Sequence, residues 1–201
     1  NQTPLSPAGQ NSVILEEGFD VAGDFPPTGW TLVQSAPDPD DTWLQTNPSD
    51  PAINFDNIDS QSLYSAMVPH EPDNDQDEWL ITPEINAGGE MPTVLDCYIG
   101  TDTQFLDGAT ITVNVTTDDG DTWTKLWDAR EDLDEIEDWQ WNHVILDLDA
   151  YVDAPFKIGF QYIGVYGNLA GLDGVKVKAG LEYLYKSDFE EYAVGEMVAL
   201  Y

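Results

Sequence analysis

The chain has 201 residues and carries 39 acidic side chains against six basic ones, for a formal charge of −33, yet 41% of it is apolar and seven residues are tryptophan. Disorder requires low hydrophobicity as well as high charge, so this composition describes a folded protein, and the negative field excludes nucleic acid as a partner because phosphates are repelled. The length suits one domain that buries roughly 70% of the surface its unfolded chain would expose, and no apolar run is long enough to span a bilayer as a helix.

Residues 1–12, NQTPLSPAGQNS, are polar and contain proline, and they read as a flexible leader. Short strand signals follow with turn residues between them: SVILEEG, GWTLVQ, SLYSAM, EWLITP, TVLDCYIG, ATITVNVTT, TWTKLW, HVILDLD, FKIGFQYIG and GVKVKA. In ITVNV, Ile111, Val113 and Val115 point one way while Thr112 and Asn114 point the other. In FKIGFQY, Phe156, Ile158, Phe160 and Tyr162 oppose Lys157 and Gln161. Such alternation predicts strands with one dry and one wet face. AREDLDEIEDW (129–139) alone has helical spacing, and its like charges favour a short helix or a solvated loop. The whole predicts an all-β domain over 13–180, two antiparallel sheets packed as a jelly-roll sandwich. Long Pro- and Asp-rich loops at 35–60 and 69–77 are the places where binding functions usually sit. From 181 to 201 the alternation stops, and this stretch reads as a short C-terminal extension, either a linker or the start of a following module.

TTDDGDTW (116–123) fits the Asp-box pattern that recurs around sialidase propellers. A sialidase grips its substrate carboxylate with several arginines, whereas this chain has only Arg130. A propeller would also repeat its blades every ~40 to 50 residues, and no second box occurs. The stretch is better read as a hairpin tip, with Asp118 bonding backbone, Gly120 at positive φ and Trp123 folded over the turn. DNDQDEWLITPE places Asp73, Asp75, Asp77 and Glu84 at calcium-loop spacing, but Glu78 stands where glycine is required and WLITP reads as a strand. Neither the paired-acid signature of laminarinase-type glycosidases nor the G-x-S-x-G elbow of serine hydrolases is present, so no catalytic residue is assigned. His70 and His143 have no companions at zinc spacing. Cys97, the single cysteine, sits among apolar residues as a core thiol.

Two features point to binding. Aspartate outnumbers glutamate 26 to 13, and short carboxylates suit turns and calcium-binding loops, although a solvated acidic surface for a saline habitat has the same composition. Trp139 and Trp141 stand two apart and would share one face of a strand. With Trp127 or Tyr166 they would form a platform for sugar rings or a partner protein, unless they pack in the core.

The order of EEGFD…FPPTGWT, DEWLITPEI, VTTDDGDTWTKL, HVILDLDAYVDAPFKIGFQYIG and GLDGVKV resembles the cleaved-adhesin and choice-of-anchor J modules, MAM-like jelly rolls of secreted and surface bacterial proteins. The resemblance implies extracellular or cell-surface placement, structural calcium, a non-catalytic adhesive role within a larger chain, and a glycan or a host or surface protein as partner. Its first and last strands commonly lie side by side, which would bring Asp20 near Asp173, with Asp38, Asp40 and Asp41 of PDPDDTW completing a calcium shell. Phe19-Asp20 and Asp173-Gly174-Val175 stand where the family usually has Phe-Glu and Asp-Asp-Val. A carbohydrate-binding accessory module of a secreted hydrolase is the alternative expectation, with a glycoside hydrolase behind it.

Overall fold

The computed structural model describes residues 12–46, 64–101, 108–133, 140–167 and 169–180. Their strands are β1 (Ser12–Glu17), β2 (Thr31–Val33), β3 (Leu44–Gln45), β4 (Ala66–Val68), β5 (Gln76–Ile81), β6 (Thr93–Thr101), β7 (Ala109–Thr116), β8 (Thr124–Asp128), β9 (Gln140–Asp147), β10 (Lys157–Gly164) and β11 (Ala170–Ala179). One sheet runs β3-β4-β11-β6-β9 with β1 added beside β11, and the other runs β2-β5-β10-β7-β8. Every pairing is antiparallel. This is the predicted all-β, two-sheet sandwich.

β11 organises the six-stranded sheet. β6 follows one of its edges throughout, while β4 pairs with Ala170–Leu172 and β1 pairs with Val175–Ala179. Between those two partners the β11–β6 register slips at Asp173–Lys176. Gly174 sits there at φ +58, and a Cβ on it would come within 3.2 Å of the Tyr98 ring. A glycine bulge lets one long strand serve two short ones. First and last strands are neighbours, as expected, and Ser12, assigned to the leader, already opens β1 opposite Ala179.

The core fills the space between the inner faces. Ile158, Phe160 and Tyr162 of β10 and Ile111, Val113 and Val115 of β7 meet Leu95, Cys97 and Ile99 of β6 and Leu172, Val175 and Val177 of β11. Burying each large apolar side chain stabilises the fold by roughly 1.5–3 kcal/mol. Trp30 stacks 6.3 Å from Phe160 and meets Phe19 edge-on at 5.6 Å, closing one end of the core. Burial pushes the Cys97 thiol far up from its ordinary range, so it packs as a small apolar side chain. The charged 129–139 stretch begins with a single helical turn, α1 (Ala129–Asp132), capped by Asp128, whose carboxylate accepts the Arg130 N–H at 3.0 Å. Residues 134–139 lie outside the described residues.

Candidate functional site

The outer face of the five-stranded sheet departs most from the alternation rule. Period two turns Trp79 and Asp77 of β5, Gly159 and Gln161 of β10, and Thr112 and Asn114 of β7 outward. Gln161 lies opposite both Trp79 and Thr112, and Gly159 opposite both Ile81 and Asn114. Yet Thr112 and Asn114, predicted to be wet, are only 3% and 5% exposed. Trp79 and Trp123 lie across the sheet, with ring centroids 4.9 Å apart and tilted by 39°. They can lie there because Gly159 has no side chain, since a Cβ on it would meet atoms of both indoles at 2.9 Å.

Polar groups beside the indoles are linked in a chain. Asp77 Oδ1 accepts the Trp79 indole N–H at 2.9 Å and the Gln161 amide at 2.7 Å. Thr112 donates to Gln161 Oε1 at 3.4 Å and accepts from Asn114 Nδ2 at 2.8 Å. The result is a shelf of two aromatic surfaces flanked by amides, a hydroxyl and one carboxylate, held in place by their own hydrogen bonds.

The TTDDGDTW hairpin positions Trp123. Asp118 accepts from the Thr122 N–H at 2.9 Å, the Thr122 hydroxyl at 2.6 Å and the Thr116 hydroxyl at 2.7 Å. The Thr122 hydroxyl bond is the chief reason the Asp118 carboxyl is pulled down to about 2, followed by those from Thr116 and the Thr122 backbone. Gly120 takes φ +100 and Trp123 folds back to it, its Cζ2 3.7 Å from where a Cβ would stand. Next to the hairpin, Glu84, Thr116, Asp118, Asp119, Pro155 and Lys157 help line a cavity of about 270 Å³.

Of the aromatic residues predicted as a platform, the structure places Trp127, Trp141 and Tyr166 as follows. Trp127 is 7% exposed and belongs to the core. A register shift between Val113 and Asn114 pairs Trp127 with inward-facing Val113 and Lys125 with outward-facing Asn114, so the bulge turns this indole inward. Trp141 is half-buried on β9, in the opposite sheet, and Trp139 lies outside the described residues. Tyr166, 62% exposed at φ 56, projects from the turn after β10 and meets the His70 ring edge-on at 5.3 Å. The sequence reading leaves Trp79 out and assigns Trp123 only to its own turn, not to a binding face. The available signal was Gly159, a glycine in the middle of a regular strand.

The predicted calcium ligands belong to three segments of the chain. Asp38 and Asp40 are exposed, and Asp38 Oδ1 accepts the Asp40 N–H at 3.0 Å within a local turn. Asp20 is exposed beyond β1, whereas Asp173 is 4% exposed and its Oδ1 accepts the Gly174 N–H at 2.6 Å. Asp41 meets Glu71. The bond to Glu71, then burial and the charges of Glu71, Asp38 and Asp40, push its carboxyl up to about 6, while N–H donation from Asp73 holds Glu71 below the usual range. Among the described residues no group of three or more His, Cys, Asp or Glu is arranged to hold a metal, so the five aspartates do not form one shell.

No family model matches the sequence, and no curated protein does. Solved structures do match. Similarity to the K1 cleaved adhesin domain of Lys-gingipain from Porphyromonas gingivalis W83 has a TM-score of 0.59 at 17% identity, over 85% of this chain and 99% of that one. The K3 cleaved adhesin domain of the same protein gives 0.57 at 16% identity, over 83% and 98%, and the K2 domain gives 0.56 at 17%, over 81% and 96%. The chain thus has the fold of a cleaved-adhesin-type module.

Proposed function

We propose that the chain is a non-catalytic, extracellular or surface-attached binding module of the adhesin type, and that it holds a neutral glycan on the Trp79–Trp123 face. The single observation that carries this reading is the indole pair lying over Gly159 beside Asp77, Gln161, Thr112 and Asn114. Indole faces take up the C–H surfaces of pyranose rings, and amides and hydroxyls at the rim exchange hydrogen bonds with sugar hydroxyls. A chain of net charge −33 repels sialylated or sulfated sugars, which leaves uncharged ones. The likeness of fold to cleaved adhesin domains supports the surface placement and the adhesive role.

A panel of immobilised neutral and acidic polysaccharides tests the reading. Binding should be confined to neutral members and should fall at least about tenfold in Trp79→Ala, the loss expected of an aromatic anchor. Retention of affinity in that variant would place the ligand elsewhere. Reproducible release of sugar, abolished by changing one carboxylate, would make the protein an enzyme.

A protein ligand is the second reading, and it rests on the other end of β10. There Ile163, Val165 and Tyr166 are 40%, 57% and 62% exposed, and Tyr166 holds a left-handed backbone conformation that a bulky residue rarely adopts. Tyr166→Ser should abolish adhesion to a protein-coated surface and spare glycan binding if that tip is the contact.

A further inference from the structure

The cavity beside the TTDDGDTW hairpin is lined by hairpin residues 116–119, by Glu84 and by residues 154–157, and its volume is about 270 Å³. Sites for drug-sized ligands begin at roughly 300 Å³. This cleft therefore has room for one sugar ring or one of its substituents, and not for an oligosaccharide.

Lys157 joins the cleft to the indole shelf. It lies opposite Thr116 on the outward side of β10, two residues before Gly159 and so roughly 7 Å from it along the strand. Its ammonium pairs with Asp119, and Asp119 precedes Gly120, against which Trp123 folds while also covering Gly159. A glycan resting on the indoles has the cleft within reach of a substituent.

The lining combines three kinds of surface. Ala154 and Pro155 are exposed and apolar, Lys157 supplies N–H donors, and the exposed Glu84 supplies acceptor oxygens. The Asp118 carboxylate is engaged within the hairpin by Thr116 and Thr122. A carboxylate or sulfate would be repelled by Glu84 and Asp119. An ammonium would leave the Lys157 donors and the Ala154–Pro155 surface unmatched. A neutral amide bearing a methyl group matches all three, since it has one acceptor oxygen, one N–H and one apolar end.

We propose that the cleft is an acetamido subsite, so that the neutral glycan on the Trp79–Trp123 face carries a 2-acetamido sugar. Its carbonyl oxygen accepts from Lys157 Nζ, its N–H donates to Glu84, and its methyl group lies on Ala154 and Pro155. Hydrogen bonds to charged partners are the stronger kind, so a sugar lacking the amide forfeits more than a neutral contact would cost. The inference rests on the glycan reading for its ligand class, but on different side chains.

Saturation-transfer NMR and titration with N-acetylglucosamine and N-acetylgalactosamine, each against its free amine and its parent hexose, test the subsite. At least one acetylated sugar should bind at least about tenfold more tightly than both of its counterparts, with its acetyl methyl the most strongly saturated group. Lys157→Met keeps the aliphatic stem and removes the donor, and it should abolish that preference. Ala154→Phe, at an exposed position, should abolish it by filling the cleft while leaving the Lys157–Asp119 pair in place. No binding of either acetylated sugar, equal or tighter binding of the amines or hexoses, or a preference that survives both variants overturns the proposal. Glycan binding that Trp79→Ala abolishes but that shows no acetamido preference sinks this inference alone. An acetamido preference lost in Lys157→Met and untouched in Trp79→Ala sinks the indole shelf and leaves the subsite standing.

Discussion

The two outer faces of the sandwich are built on different physics. On the six-stranded sheet, Asp96 accepts from His143 Nε2 at 2.7 Å and from Lys178, and Lys176 pairs with Glu16 at 3.0 Å. The Tyr98 ring stacks on His143 at 4.7 Å. On the five-stranded sheet the central groups are indoles, amides and hydroxyls, with Asp77 bonded to its neighbours. Ion pairs tie strands together on the first face, whereas on the second the ion pairs, Lys125 with Asp128 and Glu131 and Lys157 with Asp119, involve β8, the start of β10 and the β7–β8 turn. The groups around the indole pair are neutral apart from Asp77, and that surface suits an uncharged ligand. Charged contacts respond to salt and acid, whereas aromatic and amide contacts do not.

The largest expected effect comes from Gly159→Val. Its side chain would collide with both indoles, which stand 2.9 Å from a Cβ at this position. Overpacking of this kind costs about 1–3 kcal/mol, and with the shelf disrupted, glycan binding should disappear. Chemical denaturation and a glycan titration of the same sample measure the two effects, and undiminished binding would show that the indole pair is not the ligand surface.

Asp96→Asn should act on the opposite face alone. Its ion pairs are partly solvated, so after screening the loss is about 1 kcal/mol, with glycan affinity unchanged. Burial pushes the Asp96 carboxyl up, but hydrogen bonds from Lys178 and His143 outweigh it and hold the group below its ordinary range. A depressed folded-state value means that its stabilisation is present above the unfolded carboxylate range and is lost as pH falls through the folded value. The parent's thermal midpoint should therefore approach that of Asp96→Asn on acidification. A gap that stayed constant down to strong acid would show that the ion pairs add nothing.

In 1 M sodium chloride the stability gap between parent and Asp96→Asn should narrow while glycan affinity stays within error, because salt screens the Asp96 ion pairs but not aromatic and amide contacts at the indole pair. A large salt dependence of glycan binding would mean that charge carries recognition.

Asp118→Asn should have the smallest effect, confined to the hairpin. With the carboxyl at about 2 in the folded protein, Asp118 stabilises the turn above the unfolded value of ~3.9 and loses that contribution as pH falls toward 2. The variant should be slightly less stable than the parent at neutral pH, and the gap should shrink as pH falls below the unfolded carboxylate value and close only below pH 2, as followed by circular dichroism.

Local periodicity made the sandwich legible. Alternation in ITVNV and FKIGFQY identified β7 and β10 and their inward residues, since a strand's faces are set by neighbours in sequence. TTDDGDTW specified its own turn, and the hydrogen bonds of the Asp118 carboxylate all close within a few residues. Cys97 was legible as core from its apolar flanks, and it is fully buried.

Features that depend on register were not legible. The bulge opposite Val113 turned Trp127 into the core, and one such slip reverses the face of a side chain without any change in composition. Trp79 lies on β5 and Trp123 in the β7–β8 hairpin, and they meet because β10 threads between β5 and β7 with a glycine at the crossing. Counting aspartates showed that carboxylates were abundant. Only the packing of two loops against β5 decided that Asp41 would meet Glu71 and that the Gln76 amide would donate to the Asp41 and Pro69 carbonyls, because burial and the assignment of hydrogen-bond partners are properties of neighbours in space.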